Sequence, residues 1–317
     1  MMSAMRSEPF SFLHAGDRLV GDLLLPAGEG PFPALVMVHG DGPAPRDGWG
    51  YAPPFWRACT AAGIACVAWD KPGVGASGGD WLARPLAMRG AEVAAAIHAL
   101  AADRRIRADR IACWGMSQAA YIMPHTDPCC TVAVAWPHGS LEDLGHRLIS
   151  THLAAAGCSA DEVAAGLALN HDLHDILRTA ADPQPALIGR WATATGRWAD
   201  ILRGIYGAPD PRRTAWARSA VHVRAADGFA RLRGPLLAMY GARDLLVDAD
   251  AGIAALRAAI PADRLTVRVV PEADHALFRS TTGTLDELMR QAADPAANLA
   301  PEVVPTITDW LVKHLDP

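Results

Sequence analysis

Three side chains able to share one nucleophilic reaction stand far apart in this chain: Ser117, Asp244 and His275. Ser117 lies in the run Arg110-Ile-Ala-Cys-Trp-Gly-Met-Ser-Gln-Ala-Ala120, where a short apolar strand meets a turn of small residues and then a helix. That context reads as a nucleophile elbow. The chain reverses so tightly there that only small residues fit two places before and two places after the serine, and Gly115 and Ala119 occupy those places. A serine hydroxyl attacks a carbonyl only when a base removes its proton, and the base works only when an acid holds it in the right orientation. Asp244 follows the apolar run Leu236–Tyr240, just beyond the carboxyl end of a strand, and His275 follows the run Leu265–Val270 in the next such loop. In a fold built around a nucleophile elbow the acid and base are expected in the chain order Ser, Asp, His, and both appear in that order at one edge of the expected sheet. Asp248 is the reserve acid. Asp274, next to His275, is expected to face elsewhere, because neighbours in an extended loop point to different sides.

Attack on a carbonyl also creates an oxyanion, and backbone N–H groups aimed at it stabilise the transition state by roughly 3 kcal/mol each. Gln118, directly after the serine, supplies one such N–H. The second is expected from the turn His39-Gly40-Asp41-Gly42-Pro43, at Asp41, with Gly42 as the neighbour that would replace it. His39 reads as a packing and hydrogen-bonding residue of that turn.

Elements able to carry these residues recur along the chain. Continuous apolar runs at Ala34–His39, Ile64–Trp69, Ile111–Trp114, Thr131–Trp136, Leu236–Tyr240 and Leu265–Val270 suit strands covered on both faces. Helical patterns separate them, most clearly Arg89–Ala102, with Pro301–His314 closing the chain. The class is α/β, a mostly parallel central sheet with helices on both faces. The alternation stops from Ser140 to Arg231, where helical signals run over Leu141–Ala156, Ser159–Leu177 and Ile188–Ile205. Ser159 to Glu162 resembles a capping box, and Asp210-Pro211 marks a break. Such a stretch is too long for a plain connection. The expected organisation is a core of residues 1–139 and 232–317 with a helical cap, or lid, at 140–231. Trp191, Trp198 and Trp216 are expected in the cap's interior, and Trp136 and His138 beside the pocket.

Composition removes several classes of function. Half of the 317 residues are hydrophobic and the formal net charge is −5, without basic clusters, so nucleic acid is not an expected partner. Met1–Phe12 has no apolar stretch suited to export, and no segment is apolar over the length of a membrane span, which makes the cytoplasm the expected location. The six cysteines lack Cys-x-x-Cys spacing and read as small buried hydrophobes, with neither metal nor cofactor implied. The glycine-rich stretch Asp70-Lys-Pro-Gly-Val-Gly-Ala-Ser-Gly-Gly79 has neither phosphate-loop nor dinucleotide spacing, and reads as a tight turn near the site.

These residues together resemble the α/β-hydrolase superfamily over most of the chain. Gly21–Pro26 and Phe32–Gly40 are similar to its opening strands, and Asp70–Gly79 to the turn after its fourth strand. Gly42-Pro43 with Arg46-Asp47, Ser117-Gln118, His275–Phe278 with Thr282-Gly283, and Trp310-Leu311 resemble bacterial carboxylesterase-like members related to prolyl-oligopeptidase-type hydrolases. The chain departs from that pattern at Ala119 and Ala120, and at Asp41, where a small neutral residue is usual. A carboxylate aimed at the oxyanion would oppose it, so Asp41 is expected to point outward or to meet Arg46 or a substrate cation. The resemblance implies a serine hydrolase that cleaves a carboxylic ester of a small molecule through an acyl-enzyme on Ser117. A thioester or peptide and amide substrate, transfer of the acyl group to another nucleophile or cyclisation, and a non-catalytic binding protein on the same fold are the alternatives. The partner implied is a small acyl substrate, with a homodimer left open.

Overall fold

The structure, a computed structural model, describes residues 5–316. Eight strands form one sheet in the order β1-β2-β4-β3-β5-β6-β7-β8. The hairpin of β1 (Arg6–His14) and β2 (Asp17–Leu25) joins antiparallel, and β2 meets β4 (Ala65–Trp69) antiparallel. All other pairings, among β3 (Phe32–Val38), β4, β5 (Ile106–Met116), β6 (Thr131–Val134), β7 (Leu236–Gly241) and β8 (Leu265–Val270), are parallel. Every parallel strand therefore delivers its carboxyl end, and the loop that follows, to the same edge of the sheet.

The unbroken apolar runs have the expected cause. In β3, Ala34, Val36 and Val38 enter one core, while Leu35 and Met37 enter another on the opposite face. The helices α1 (Pro53–Ala61), α2 (Leu86–Ala101) and α3 (Ala119–Ile122) follow β3, β4 and β5. On the first face α2 contributes Val93 and Leu100 and α3 contributes Tyr121. On the second, α1 contributes Phe55 and Cys59.

Between β6 and β7 lie α4 (Leu141–Ala155), α5 (Ala160–Thr179), α6 (Pro183–Thr193), α7 (Arg197–Tyr206), α8 (Pro211–Ala220) and the short α9 (Ala226–Phe229). Residues of α4, α5 and α7, among them Ile149, Leu153, Leu169 and Leu202, form a third core of their own. Ser159 and Glu162 complete the capping box at the start of α5. Two local expectations need correction. Ile188–Ile205 is not one helix but parts of α6 and α7, interrupted where Gly196 takes φ +94°. Asp210-Pro211 is not a break but a start: Asp210 caps α8 by accepting the Arg212 N–H, and proline fits the first helical turn because its missing N–H would have no partner there. The chain closes with α10 (Ala249–Ala259), α11 (Leu285–Gln291), α12 (Pro295–Asn298) and α13 (Val303–Leu315); Ile307 and Leu311 of α13 complete the second core. No helix among the described residues is long and apolar enough to cross a membrane. All six cysteines are free, four of them buried.

Candidate active site

Ser117 stands immediately after β5 with φ +52°, the left-handed region that a residue with a Cβ adopts only when its surroundings impose it. They do so here from both sides. The Ser117 N–H donates to the Val134 carbonyl at 2.9 Å, so the sheet grips the chain up to the serine, and α3 begins two residues later. A Cβ on Gly115 would lie 2.6 Å from the Cβ of Ala119. Glycine two places before the serine is thus what makes alanine acceptable two places after it. The indole N–H of Trp136 donates to the Gly115 carbonyl at 2.8 Å. Trp136 is fully buried and braces the elbow; neither it nor His138 lines the pocket, contrary to expectation.

Asp244 and His275 sit in the loops after β7 and β8. One Asp244 oxygen accepts the N–H groups of Leu246 and Val247 at 2.8 and 2.9 Å, which fixes the carboxylate, and the other lies 2.8 Å from His275 Nδ1. Both side chains are buried. A carboxylate only accepts, so the proton of this bond belongs to Nδ1, and Nε2 of the neutral ring keeps a lone pair. Burial disfavours the charged imidazole, but the charge and hydrogen bond of Asp244, helped by the charge of Asp274, outweigh it and raise the His275 pKa above its ordinary 6.5.

Asp248, the reserve acid, instead caps α10 by accepting the Ala251 N–H. Asp274 is fully buried and binds its own loop: one oxygen accepts the N–H groups of Ala276 and Phe278 at 2.9 and 3.0 Å, and the other has no partner. Burial pushes its pKa up to about 6, against the lowering effect of those two bonds and of His275.

Ser117, Gln118, Asp41 and His275 line one cavity of about 400 Å³. No hydrogen bond joins Ser117 to His275 in this arrangement; they share its wall. Helices α4 to α8 and the turn between α7 and α8 form most of the rest of that wall, largely with apolar side chains, and Tyr121, Leu246 and Val247 complete it. Trp191 and Trp216 face the cavity, whereas Trp198 packs into the core of the inserted helices.

The loop after β3 approaches the elbow closely: a Cβ on Gly40 would lie 3.5 Å from that of Ser117. Lys71, fully buried, donates from Nζ to the carbonyls of Gly40 and of Gly42, the latter at 2.7 Å. A trans peptide sets its C=O and N–H on opposite sides, so the grip on the Gly40 oxygen turns the Asp41 N–H away from Lys71. Neither the Asp41 nor the Gln118 N–H donates to a protein acceptor among the described residues. Burial, with the charges of Lys71 and Arg89, pushes His39 down to about 3, which keeps it neutral at physiological pH.

The Asp41 side chain is exposed, as expected of an outward-pointing carboxylate, but its cationic partner is not Arg46. It accepts Arg213 Nη2 of α8 at 2.7 Å and Gln118 Nε2 at 2.8 Å. Partial desolvation would raise its pKa, but the charge and hydrogen bond of Arg213, with the charge of Lys71, hold it below the usual value. Arg46 is committed to Asp70, through Nε at 3.1 Å and Nη2 at 2.7 Å, and to Asp22 at 2.8 Å. Sequence reading missed Lys71 and Arg213 as parts of this site. Lys71 lies within the Asp70–Gly79 stretch, where the glycines are the visible signal, and Arg213 lies just after Asp210-Pro211, whose pattern marks a chain break but carries no sign of a site.

No protein-family model matches the chain, and no curated protein matches it in sequence. Solved structures do match its shape. The esterase Pf2001 of Pyrococcus furiosus superposes with a TM-score of 0.57 at 13% identity, over 98% of this chain and 91% of that one. Est1E of Butyrivibrio proteoclasticus, solved with ferulic acid bound, gives 0.57 at 13%, over 97% and 100%. A 2,6-dihydroxy-pseudo-oxynicotine hydrolase gives 0.56 at 15%, over 98% and 68%. Strand order, the elbow after β5 and these near-complete superpositions agree: the chain has the α/β-hydrolase fold.

Proposed function

We propose that the protein is a serine hydrolase that cleaves a carboxylic ester, or a similar acyl bond, of a small molecule through an acyl-enzyme on Ser117. The observation that carries this reading is the buried 2.8 Å Asp244–His275 pair opening onto the cavity that the strained Ser117 also lines. His275 Nε2 takes the Ser117 proton as Oγ attacks the carbonyl carbon, and the oxyanion is held by the N–H groups of Asp41 and Gln118. The proton passes to the leaving alcohol as the tetrahedral intermediate collapses; His275 then activates water, which releases the acid. Catalytic hydrogen bonds are commonly longer before substrate binds, so the shared wall without a Ser117–His275 bond fits a resting site. In this reading residues 140–231 act as a cap, supported by the share of the cavity wall that α4 to α8 provide.

Ser117→Ala is expected to abolish hydrolysis of aryl esters and labelling by a fluorophosphonate probe while circular dichroism stays that of the wild type. Hydrolysis undiminished in the folded variant would overturn the assignment.

A further inference from the structure

One titratable side chain in the cavity wall has no part in the chemistry above. His174 sits on α5, half-buried, in the wall of this cavity, to which Leu173 and Leu177 of the same helix also belong, with the charges of Glu142, Arg178 and Asp143 near its ring. Its Nδ1 lies 2.9 Å from the backbone carbonyl of Asn170, one helical turn earlier. A carbonyl oxygen only accepts, so Nδ1 carries the proton and Nε2 of the neutral ring is an acceptor. Burial lowers the pKa of this ring despite that bond and the charge of Glu142, so it is neutral at pH 7. Among the described residues Nε2 has no hydrogen-bond donor, the ring's one hydrogen bond being that of Nδ1. An acceptor in a mostly apolar wall is costly to cover with an apolar group and gains when a donor meets it. Sites built this way discriminate by a hydrogen bond rather than by shape alone.

We propose that the substrate carries an apolar acyl chain ending in, or bearing, a hydroxyl or amide N–H donor, and that His174 Nε2 accepts that donor as the specificity-determining contact. The inference rests on the reading of this cavity as the acyl-substrate site. The apolar wall of α4 to α8 covers the chain's methylene groups, and the volume of about 400 Å³ is that of a small-molecule site. His174 is a recognition residue here; it neither gives nor takes a proton in the reaction.

The test compares paired p-nitrophenyl esters of alkanoic and ω-hydroxyalkanoic acids with six-, eight- and ten-carbon chains. For at least one chain length the wild type is expected to favour the hydroxylated ester in kcat/KM, and His174→Leu to lower that hydroxyl-to-plain ratio about tenfold, the effect of one lost hydrogen bond. His174→Gln, which restores an acceptor oxygen, is expected to recover part of the ratio, a result that loss of folding would not give. An unchanged ratio in His174→Leu, with hydrolysis still dependent on Ser117, overturns the proposal and leaves the hydrolase reading standing. Hydrolysis independent of Ser117 overturns the hydrolase reading. Calorimetric binding of 8-hydroxyoctanoate and octanoate needs no turnover: a preference for the hydroxy acid that His174→Leu removes supports the proposal, and equal binding, or none by either acid at millimolar concentration, overturns it.

Discussion

Lys71 holds the carbonyl oxygen of Gly42 at 2.7 Å from a fully buried amine, and holds the Gly40 carbonyl with the same nitrogen. The loop after β3 is thereby fixed from beneath by a side chain that never reaches the cavity. Lys71→Met keeps the bulk and removes the donor to both carbonyls; the Gly42 oxygen keeps the Ala44 N–H at 3.1 Å, but the Gly40 oxygen loses its partner, a cost of about 1–3 kcal/mol for a buried group. The expected outcome is a fall in kcat of at least tenfold with a smaller change in KM, because the disturbed N–H acts on the transition state. Steady-state kinetics at a temperature where circular dichroism shows the variant folded checks it; a KM effect alone would assign Lys71 to binding.

The ion pair of Asp41 and Arg213 leads to a rescue experiment. Both side chains are nearly half exposed, so the pair contributes little to global stability, on the order of 0–1 kcal/mol. Its local effect is larger, since Arg213→Met removes the cation from a carboxylate beside the proposed oxyanion donors and leaves it only the Gln118 amide as a side-chain partner. Arg213→Met is expected to lower kcat about tenfold with a nearly unchanged melting temperature. Adding Asp41→Asn should return most of the loss, which a double-mutant cycle on kcat measures directly.

A general base must be unprotonated, and the Asp244 charge raises the His275 pKa above 6.5. Activity is therefore expected to fall on the acid side through a midpoint above 6.5, and to be recovered as pH rises. Asp244→Asn removes the raising charge: the surviving activity should show its acid limb at lower pH, with kcat reduced about 10³- to 10⁴-fold through loss of the correct tautomer. A pH–kcat/KM profile of both proteins is the measurement.

Asp274 provides a separate pH signature in stability. Its folded pKa is raised to about 6 from 3.8, so the unfolded chain releases this proton first. Between about pH 4 and 6 the unfolded state binds fewer protons, and stability is lost as pH rises, by up to about 3 kcal/mol for this one group. Asp274→Asn keeps an acceptor for Ala276 and Phe278 and removes the ionisation. Urea unfolding at a series of pH values should show wild type losing stability relative to the variant across that window; parallel curves would refute the account.

The sheet was legible because its strands are buried on both faces, and burial writes continuous apolar runs such as Leu35–Val38 and Leu236–Tyr240 that need no periodicity to be found. Asp244 and His275 were legible for the related reason that each follows such a run, and the structure brings these two into contact. The short inserted helices were not. Apolar residues recur at helical spacing on both sides of Gly196, and an Asp-Pro pair opens a helix as readily as it interrupts one, so the turn at Gly196 and the start of α8 are not legible. The partners of Asp41 and the Gly40–Gly42 turn were also hidden, since Arg213 is 172 residues distant from Asp41 and nothing local signals such a pairing.

The contact of Arg213 with Asp41 has one end on a helix of the insertion and the other on the turn beside the nucleophile. Swinging that helix outward to admit a large guest would strip the carboxylate of its counter-charge at the spot where negative charge must later gather. Under the proposed function, admission and reactivity would then oppose each other through this ion pair, and the full counter-charge would return only with the helix back in the place it holds here.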